Sequence, residues 1–244
     1  MKGLVPIVEG FSSSVFKTED GACLKVARSA EAASRLRHAF AVSAAIAPFV
    51  DVAVPQAVRW LPATEAQPHG GVLCAWMDGA QLSAAADPGP VAAFLRDLHA
   101  VDPTVLRSIV APYGRWRVQQ IDRARRGLAA ASALIGPEMT RWVGRVLGDL
   151  ADDLQRLPGP AVVHGDVWRE NMLCARFALT AVLEWEAAAI GDPAVDLAGL
   201  WHLGDDWARG VLDALGPPLS ERRRCQAWRL ARARGRRLVD APRR

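Results

Sequence analysis

Short apolar runs separated by polar turns dominate the first eighty residues of the chain. The runs at residues 4–8, 15–18 and 22–26 predict three strands, because each is short, rich in β-branched or apolar residues and bounded by turn residues. Two further runs, at 52–60 and 71–76, predict two more strands. Since consecutive strands joined by short turns form hairpins, the pattern predicts an antiparallel sheet of five strands.

Helical periodicity replaces this pattern along most of the remaining chain. An Ala-rich stretch at residues 29–47 already predicts one helix, which Pro48 ends. From Pro90 onward, apolar residues at 91, 94, 95 and 98 predict one face of a second helix. Residues 113–133 and 137–157 predict two more helices, and the sequence Pro-Gly-Pro follows the second of them.

The chemistry is concentrated between residues 161 and 203. A short buried strand at 161–163 is followed by a polar loop and a second apolar run, and a strand at 179–183 then leads to Glu184. Asp166 and Asn171 stand five positions apart, which is the spacing of the catalytic loop of protein kinases. There the Asp accepts the proton of the substrate hydroxyl and the Asn holds Mg²⁺. This order of groups predicts phosphoryl transfer, and a structural turn closed by His164 and Asp166 is the alternative.

Three runs in this region carry a resemblance to a known family: HGDVWREN at 164–171, LEWEAAA at 183–189 and GDPAVDLA at 191–198. Together they resemble the aminoglycoside phosphotransferase family, which is similar to choline kinases and shares the protein-kinase fold. The resemblance implies an α+β, protein-kinase-like fold of two lobes. Residues 1–78 would form a small N-lobe with a five-stranded antiparallel sheet, and residues 79–244 a larger, mostly helical C-lobe with the catalytic loop and the acceptor pocket.

The resemblance also implies a reaction and its parts. The γ-phosphoryl group of ATP or GTP would pass to a hydroxyl, with Asp166 as the group that orients the acceptor and Asn171 and Glu184 as ligands of Mg²⁺. His164 and Gly165 would shape the loop, and a hinge at 77–80 would bind the nucleotide base through its backbone. The residues expected to contact the nucleotide are Gly10, Phe11, Ser12, Ser13, Ser14, Lys25, Trp76 and Met77.

Lys25 is the strongest of these nucleotide candidates on composition alone. The chain has three lysines against 27 arginines, so a lysine on an otherwise apolar strand indicates a site that needs a compact ammonium group. A surface residue at a strand end is the alternative. The neighbouring run GFSSSVF has a single glycine, so by itself it fits an ordinary hairpin loop equally well.

Two positions depart from the family pattern. The family has Asp where this chain has Glu184, and Mg²⁺ is sensitive to such a shift because it demands near-ideal octahedral geometry. The family also has a helix Glu that pairs with the strand Lys, near the positions of His38 and Ala39. Glu31, six residues after Lys25, does not suit that pair, so either another acid serves or Lys25 is held less firmly. A catalytically impaired, pseudokinase-type binding module is therefore the alternative to an active enzyme.

The predicted acceptor is a small molecule with a hydroxyl group, an antibiotic such as an aminoglycoside or a macrolide. Acids beyond the metal site suit a cationic aminoglycoside, whereas nine Trp could line an apolar pocket for a macrolide, and both alternatives stay open beside scattered core Trp and surface acids. The substrate candidates are Asp166, Arg169, Glu186, Trp201 and Asp205, and helix residues Trp116, Arg117 and Gln120 are secondary ones.

Other residues of this region have predicted structural roles. A helix over 192–203 should begin with Asp192 at its cap and Pro193 at its first position. Asp196 should brace the catalytic loop by hydrogen bonding, and His99 should pack or cap rather than take part in chemistry.

Composition predicts a globular cytoplasmic protein without membrane partners. The chain is 51% hydrophobic, but it has no window of eighteen uncharged apolar residues, and residues 1–10 lack the pattern of a signal peptide. Its four cysteines are far apart and form no CxxC pair, which favours reduced, structural thiols. A monomer or a homodimer is expected.

The last 24 residues contain ten arginines and two acids, a balance that could serve nucleic acid or a membrane surface. However, Ala227, Trp228, Ala231 and Leu238 recur among the arginines at helical spacing. We favour a helix with one solvated face and Trp228 as its packing anchor, because no recognised nucleic-acid motif accompanies the run.

Overall fold

A computed structural model describes residues 4–9, 13–65, 67–157, 159–176, 178–218 and 220–229. Its N-terminal part is a sheet of five antiparallel strands in the order β1-β2-β3-β5-β4, as the sequence predicts. The strands are β1 Leu4–Glu9, β2 Ser13–Thr18, β3 Ala22–Ala27, β4 Ala57–Leu61 and β5 Gly71–Ala75.

Two strands begin at positions other than those predicted. β2 already starts at Ser13, which lies opposite Ala27 of β3, so Ser13 and Ser14 belong to the strand and not to the preceding loop. The prediction for β4 was wrong over residues 52–56. There Ala53 forms an isolated parallel bridge with Ala181, because its backbone hydrogen-bonds Thr180 and Val182 in the larger part of the molecule.

Helix α1, Ala30–Ile46, covers one face of this sheet. Ser29 caps it, since its side chain accepts a hydrogen bond from the N–H of Ala32 at 3.1 Å. Buried α1 residues, including Leu36 and Phe40, pack on Cys23, Val72 and Cys74 of the sheet in a small core of their own. This contact sets α1 directly beside β3, the strand that carries Lys25.

The remaining chain is mostly helical and encloses the larger hydrophobic core. Its helices are α2 Gly89–Ala100, α3 Tyr113–Gln155, α4 Ala194–Leu197, α5 Asp205–Leu215 and α6 220–229. Its short strands are β6 Ala80–Gln81, β7 Ala161–Val163, β8 Met172–Ala175, β9 Ala178–Val182 and β10 Ala189–Gly191. The predicted apolar face of α2 is confirmed, because Val91, Phe94, Leu95 and Leu98 are all buried.

The two helices predicted over 113–157 form one element with a sharp kink. The kink lies at Gly136, whose backbone is left-handed in φ (φ 77°, ψ 166°), directly before Pro137. A proline cannot continue the hydrogen bonding of a helix, and glycine tolerates the positive φ, so this pair bends the chain. Each half is thus a helix as predicted, although the first half extends beyond residue 133.

The single helix predicted over 192–203 was wrong. α4 covers only Ala194–Leu197 and is followed by a short 3₁₀ turn, Leu200–Leu203. Gly199 separates the two elements. A Cβ atom there would lie 2.3 Å from the carbonyl oxygen of Val167, so the chain turns closely against the catalytic loop at this point.

The predicted anchoring role of Trp228 is confirmed. Its indole Nε1 donates a hydrogen bond to Asp192 Oδ2 at 3.0 Å, and Arg224 Nε donates to the same oxygen at 3.0 Å. Asp192 is fully buried, so this pair holds α6 to the segment before α4. The further arginine-rich stretch that was predicted to continue this helix, 230–244, lies outside the described residues.

In the described part of the chain, no helix is both long enough and apolar enough to cross a membrane. Cys23, Cys74 and Cys225 are buried and Cys174 is half-buried, which fits the predicted structural role of these side chains.

Candidate active site

The loop between β7 and β8 brings the two predicted catalytic side chains together. The amide nitrogen of Asn171 donates hydrogen bonds to the backbone oxygen and to Oδ2 of Asp166, both at 3.0 Å. This contact fixes the Asp166 carboxylate and turns the amide oxygen of Asn171 away from it. The five-residue spacing thus closes a compact loop around Asp166.

Gly165 allows this loop to lie against the segment that follows Glu184. Its φ is 78°, and a Cβ atom would lie 2.3 Å from the carbonyl oxygen of Ala187. Both the left-handed backbone and the close approach require glycine. The glycine at this position therefore has a steric reason.

Asp196 braces the loop from behind, as predicted. Its carboxylate accepts hydrogen bonds from the backbone N–H of His164 at 2.9 Å and of Gly165 at 2.7 Å, and His99 Nε2 lies 3.1 Å from Oδ2. Burial opposes ionisation, but the hydrogen bond and charge of His99, together with His164 and Gly165, lower the pKa of Asp196 below its ordinary value. The carboxylate is therefore ionised inside the core, and His99 acts through it.

His164 connects the loop to the end of β9. Its Nδ1 accepts from the N–H of Asp166 at 3.2 Å, so its Nε2 carries the proton and donates to the carbonyl oxygen of Leu183 at 2.8 Å. Leu183 in turn donates its N–H to the carbonyl oxygen of Asn171 at 2.7 Å. Glu184 follows directly, so these bonds set its position relative to Asp166 and Asn171.

Glu184 is held in an unusual backbone conformation and forms an ion pair with Lys25. Its φ of 58° and ψ of 68° are left-handed, which costs a residue with a side chain about 1–3 kcal/mol and is found mainly at functional sites. Its carboxylate bonds the ammonium group of Lys25, which is only 8% exposed on β3. Burial lowers the pKa of Lys25, but the charge and hydrogen bond of Glu184 outweigh it and raise that pKa above its ordinary value.

Helix α1 supplies no acid to Lys25. Its only acid, Glu31, has a side chain that is 79% exposed and pairs with Arg35 at 3.0 Å. Arg35 Nε lies 3.6 Å from Glu186 on its other side. Of the two alternatives left by the sequence, the structure therefore shows the first, in which another acid serves Lys25, and that acid is Glu184.

The donor set fits a metal ion that arrives with a nucleotide. Among the described residues, no group of three or more His, Cys, Asp or Glu side chains is arranged to hold a metal. Mg²⁺ is typically held by one or two protein oxygen ligands together with substrate phosphates and water. The amide oxygen of Asn171 and the carboxylate of Glu184 would supply the protein's share.

The other predicted nucleotide contacts lie at opposite ends of the sheet or outside the described residues. Gly10, Phe11 and Ser12 lie outside them. Ser13 is buried at the start of β2, with Ser14 after it. Trp76 and Met77 are half-buried after β5, and Trp76 Nε1 donates to Asp78 at 2.9 Å.

A cavity of about 280 Å³ opens beside Gly165, between the catalytic loop, α1 and α3. Glu186 lines it, as do the secondary candidates Trp116 and Gln120. The sequence reasoning missed His38, Gln119 and Arg123, which also line it. The signal for Arg123 was helical spacing, because it lies three residues after Gln120.

Of the other acceptor candidates, Arg169, Trp201 and Asp205 do not line this cavity, and Asp166 follows the lining residue Gly165 in the chain without being part of the lining. The guanidinium of Arg229 stacks over Trp201 at 4.1 Å and lies 3.7 Å from Asp205. Arg169 is exposed, and its backbone N–H donates to His202 Nε2 at 2.8 Å. The structure thus places these residues where the catalytic loop meets the C-terminal helices.

The model of the phosphotransferase enzyme family matches residues 3–232. The chain belongs to this family. A search of curated proteins gave no match.

Among solved structures, 191 chains match this member of the family. The GDP and kanamycin complex of APH(2")-IIia has a TM-score of 0.80 and 17% identity, covering 98% of this chain and 88% of that one. The macrolide 2'-phosphotransferase MphH from Brachybacterium faecium has a TM-score of 0.74 and 21% identity, covering 97% and 85%. ADP-bound aminoglycoside phosphotransferase APH(2'')-Ib has a TM-score of 0.70 and 17% identity, covering 95% and 81%. The predicted α+β, protein-kinase-like fold is confirmed by these similarities.

Proposed function

We propose that the chain transfers the γ-phosphoryl group of ATP or GTP to a hydroxyl of a small molecule. The proposed acceptor is an antibiotic such as an aminoglycoside or a macrolide. The observation that carries the proposal is the joined arrangement of Asp166, Asn171 and Glu184. The first two are in direct contact, and Leu183 ties the third to the same loop. The similar solved structures include complexes with GDP and ADP, which supports a nucleotide as the donor.

Each residue has a specific task in this proposal. Asp166 orients the acceptor hydroxyl and takes its proton, and the Asn171 amide keeps the Asp166 carboxylate in place. Lys25 and the backbone at the start of β2 bind the phosphates. Asn171 and Glu184 would hold Mg²⁺, which would supply charge neutralisation at the phosphates. Because little bond-making falls to the protein, positioning supplies most of the catalysis.

The nucleotide lies, in the same proposal, between the sheet and the helical part of the chain. The boundary between the lobes lies at residues 78 and 79, and the base contacts the backbone near Trp76 and Met77. The half-buried position of both side chains directly after β5 supports this placement.

The lining of the cavity favours a macrolide over an aminoglycoside as the acceptor. Glu186 already lies 3.6 Å from Arg35, which is outside the lining, and Arg123 places a cation in the lining itself. Asp205 is likewise close to arginines, at 3.8 Å from Arg209 and 3.7 Å from Arg229. An acceptor with several positive charges would meet these cations, whereas Trp116 and several alanines offer apolar contact.

A second candidate is a catalytically impaired module that binds a nucleotide or a small molecule. The observation that favours it is the replacement of the expected Asp by Glu184, whose carboxylate is engaged by Lys25. Such a module would bind nucleotide without turning it over.

The experiment is a measurement of Mg²⁺-dependent consumption of ATP and of GTP with a panel of macrolides and aminoglycosides. We expect an acceptor-dependent rate and a phosphorylated product for at least one compound, with macrolides ahead of aminoglycosides. Nucleotide binding without acceptor-dependent turnover across the panel would favour the binding module instead.

A further inference from the structure

Lys25 has an unusual charge environment for a buried lysine. It lies on the inner side of β3, beneath α1, and its ammonium group pairs with Glu184. A buried ammonium needs a compensating charge, because removal from water strongly penalises an ion that has lost its partner. In this chain the compensating charge comes from the residue that is also placed to hold a metal ion.

The helix beside Lys25 leaves no room for a second acid to share that task. Ala39 and Ser43 of α1 line a small cavity together with Lys25 and Glu184, and its volume of about 10 Å³ is about that of one water molecule. Ala39 therefore stands where an acid on α1 would face Lys25. Glu31 faces solvent instead, in the first turn of the helix.

The Glu184 carboxylate is thus placed to bind two different cations, the Lys25 ammonium and a metal ion. While Glu184 bonds Lys25, the ammonium is neutralised and its hydrogen-bonding capacity is partly used, so it attracts phosphate weakly. A divalent cation competes with Lys25 for the same carboxylate, because both are cations that bind its oxygens. When the cation takes Glu184, the ammonium becomes available to an anionic ligand.

We propose that Glu184 is a positioning residue that holds Lys25 in reserve, so that Lys25 binds nucleotide phosphates only after a divalent cation has taken the Glu184 carboxylate. This inference rests on the proposed function. It makes the contribution of Lys25 to nucleotide affinity depend on Mg²⁺.

The test is a double-mutant cycle on nucleotide affinity, measured by calorimetry with ATP and with GTP. Wild type, Lys25→Met, Glu184→Gln and the double variant are compared in EDTA. In the wild-type background we expect Lys25→Met to weaken metal-free nucleotide binding less than about twofold. In the Glu184→Gln background we expect it to weaken this binding about tenfold or more, because Glu184→Gln releases the Lys25 ammonium from its ion pair. Glu31→Gln, which removes the exposed acid of α1, is the matched control and should leave both values unchanged.

A second arm keeps the test independent of how well Glu184→Gln folds. Lys25→Met should weaken nucleotide binding about tenfold or more in MgCl₂ while barely changing it in EDTA, with no substitution at Glu184. Equal cost in EDTA and in MgCl₂, or equal cost in both backgrounds, would overturn the inference and leave the proposed function intact. Absence of nucleotide binding by the wild type under all conditions would overturn both.

Discussion

Asp196 shows how one buried residue can govern the catalytic loop. Its carboxylate is fully buried, and each of its oxygens accepts a backbone N–H of the loop while His99 lies beside it. Because the N–H groups of His164 and Gly165 bind this one carboxylate, they fix the backbone direction at the next residue, Asp166. Asp196 thus acts on the chemistry through the loop backbone.

Substitution of Asp196 by Asn should therefore destabilise the fold strongly. The variant loses a buried negative charge next to His99 and presents an amide to N–H groups that need acceptors, so we expect a loss of about 3–5 kcal/mol in the free energy of unfolding. Denaturant unfolding at neutral pH measures it. Asp206→Asn, at a fully exposed position, is the control and should change stability by less than about 0.5 kcal/mol. Similar effects of the two variants would contradict the brace.

The same carboxylate predicts a pH dependence of stability. Because folding lowers the pKa of Asp196 below its ordinary value of 3.8, its stabilisation is fully present above that value and is lost as the pH falls through the lower folded pKa. The stability difference between the wild type and Asp196→Asn should therefore shrink as the pH falls below 3.8. Denaturant unfolding across a pH series measures this difference, and a constant difference would argue against an ionised Asp196.

Gly165 offers a test of the close contact under the catalytic loop. Ala at this position would combine the left-handed backbone, about 1–2 kcal/mol, with overpacking against Ala187, about 1–3 kcal/mol. Gly21 has a nearly equal φ of 81° and open space around it, so Gly21→Ala should show the backbone cost alone. We expect Gly165→Ala to be the less stable variant by denaturant unfolding and to lose turnover. Equal stability would mean that the loop can move away.

Residue types and spacings predicted the loop that joins Asp166 and Asn171, but not the partner of Lys25. The sequence placed Lys25 on a strand and Asp166 five residues before Asn171, because both patterns are local. The ion pair of Lys25 joins residues that are 159 positions apart, and no local pattern reports such a contact. The lack of an acid on α1 was visible in the sequence, whereas the acid that replaced it required the fold.

At the scale of elements, α6 is attached to the core through two hydrogen bonds to the buried carboxylate of Asp192. Trp228 and Arg224 both donate to Asp192 Oδ2, and Asp192 Oδ1 accepts from the N–H of Ala194 at 3.2 Å. The segment that leads into α4 is thereby joined to α6. This attachment lies close in sequence to Asp196, so loosening of α6 should reach the catalytic loop.

Replacement of Trp228 by Phe tests this attachment, and the same replacement at a second buried Trp accounts for the lost volume. The variant loses a hydrogen bond to a buried carboxylate, which contributes about 1.5–3 kcal/mol to stability. Trp207→Phe is the matched control, because Trp207 Nε1 donates to the neutral carbonyl oxygen of Ala86 and such a bond contributes about 0.5–1.5 kcal/mol. Thermal or denaturant unfolding should rank Trp228→Phe as the more destabilised, and the reverse order would show that the hydrogen bond of Trp228 to Asp192 does not hold α6 in place.

The elements themselves were predicted in proportion to their periodicity. The apolar face of α2 and the hairpins of β1 to β3 follow regular patterns and were found. The helix predicted at α4 was too long, because apolar residues continue past the end of α4 while Gly199 turns the chain toward Val167. Residues 52–56 look like a strand, but Ala53 pairs outside the sheet, and tertiary contacts decide such cases.

At the scale of the whole molecule, the fold brings two distant halves of one site together. The sheet supplies Lys25, and the helical part supplies the loop with Asp166 and the acid Glu184. The ion pair between Lys25 and Glu184 spans the two parts, and α1 adds a second connection through Arg35 and Glu186 at 3.6 Å. Nucleotide binding at this junction would therefore act on the relation between both parts.

Asp166 is central to the proposed phosphoryl transfer, because it takes the proton of the acceptor hydroxyl. The decisive measurement is the steady-state rate of Mg²⁺-dependent ATP or GTP turnover for Asp166→Asn beside the wild type, with an acceptor found in the antibiotic panel. We expect the kcat of Asp166→Asn to be about 10²–10⁴-fold lower, because this variant lacks the general base, while its KM for the nucleotide changes little. An Asp166→Asn variant with a kcat close to that of the wild type would contradict this role of Asp166.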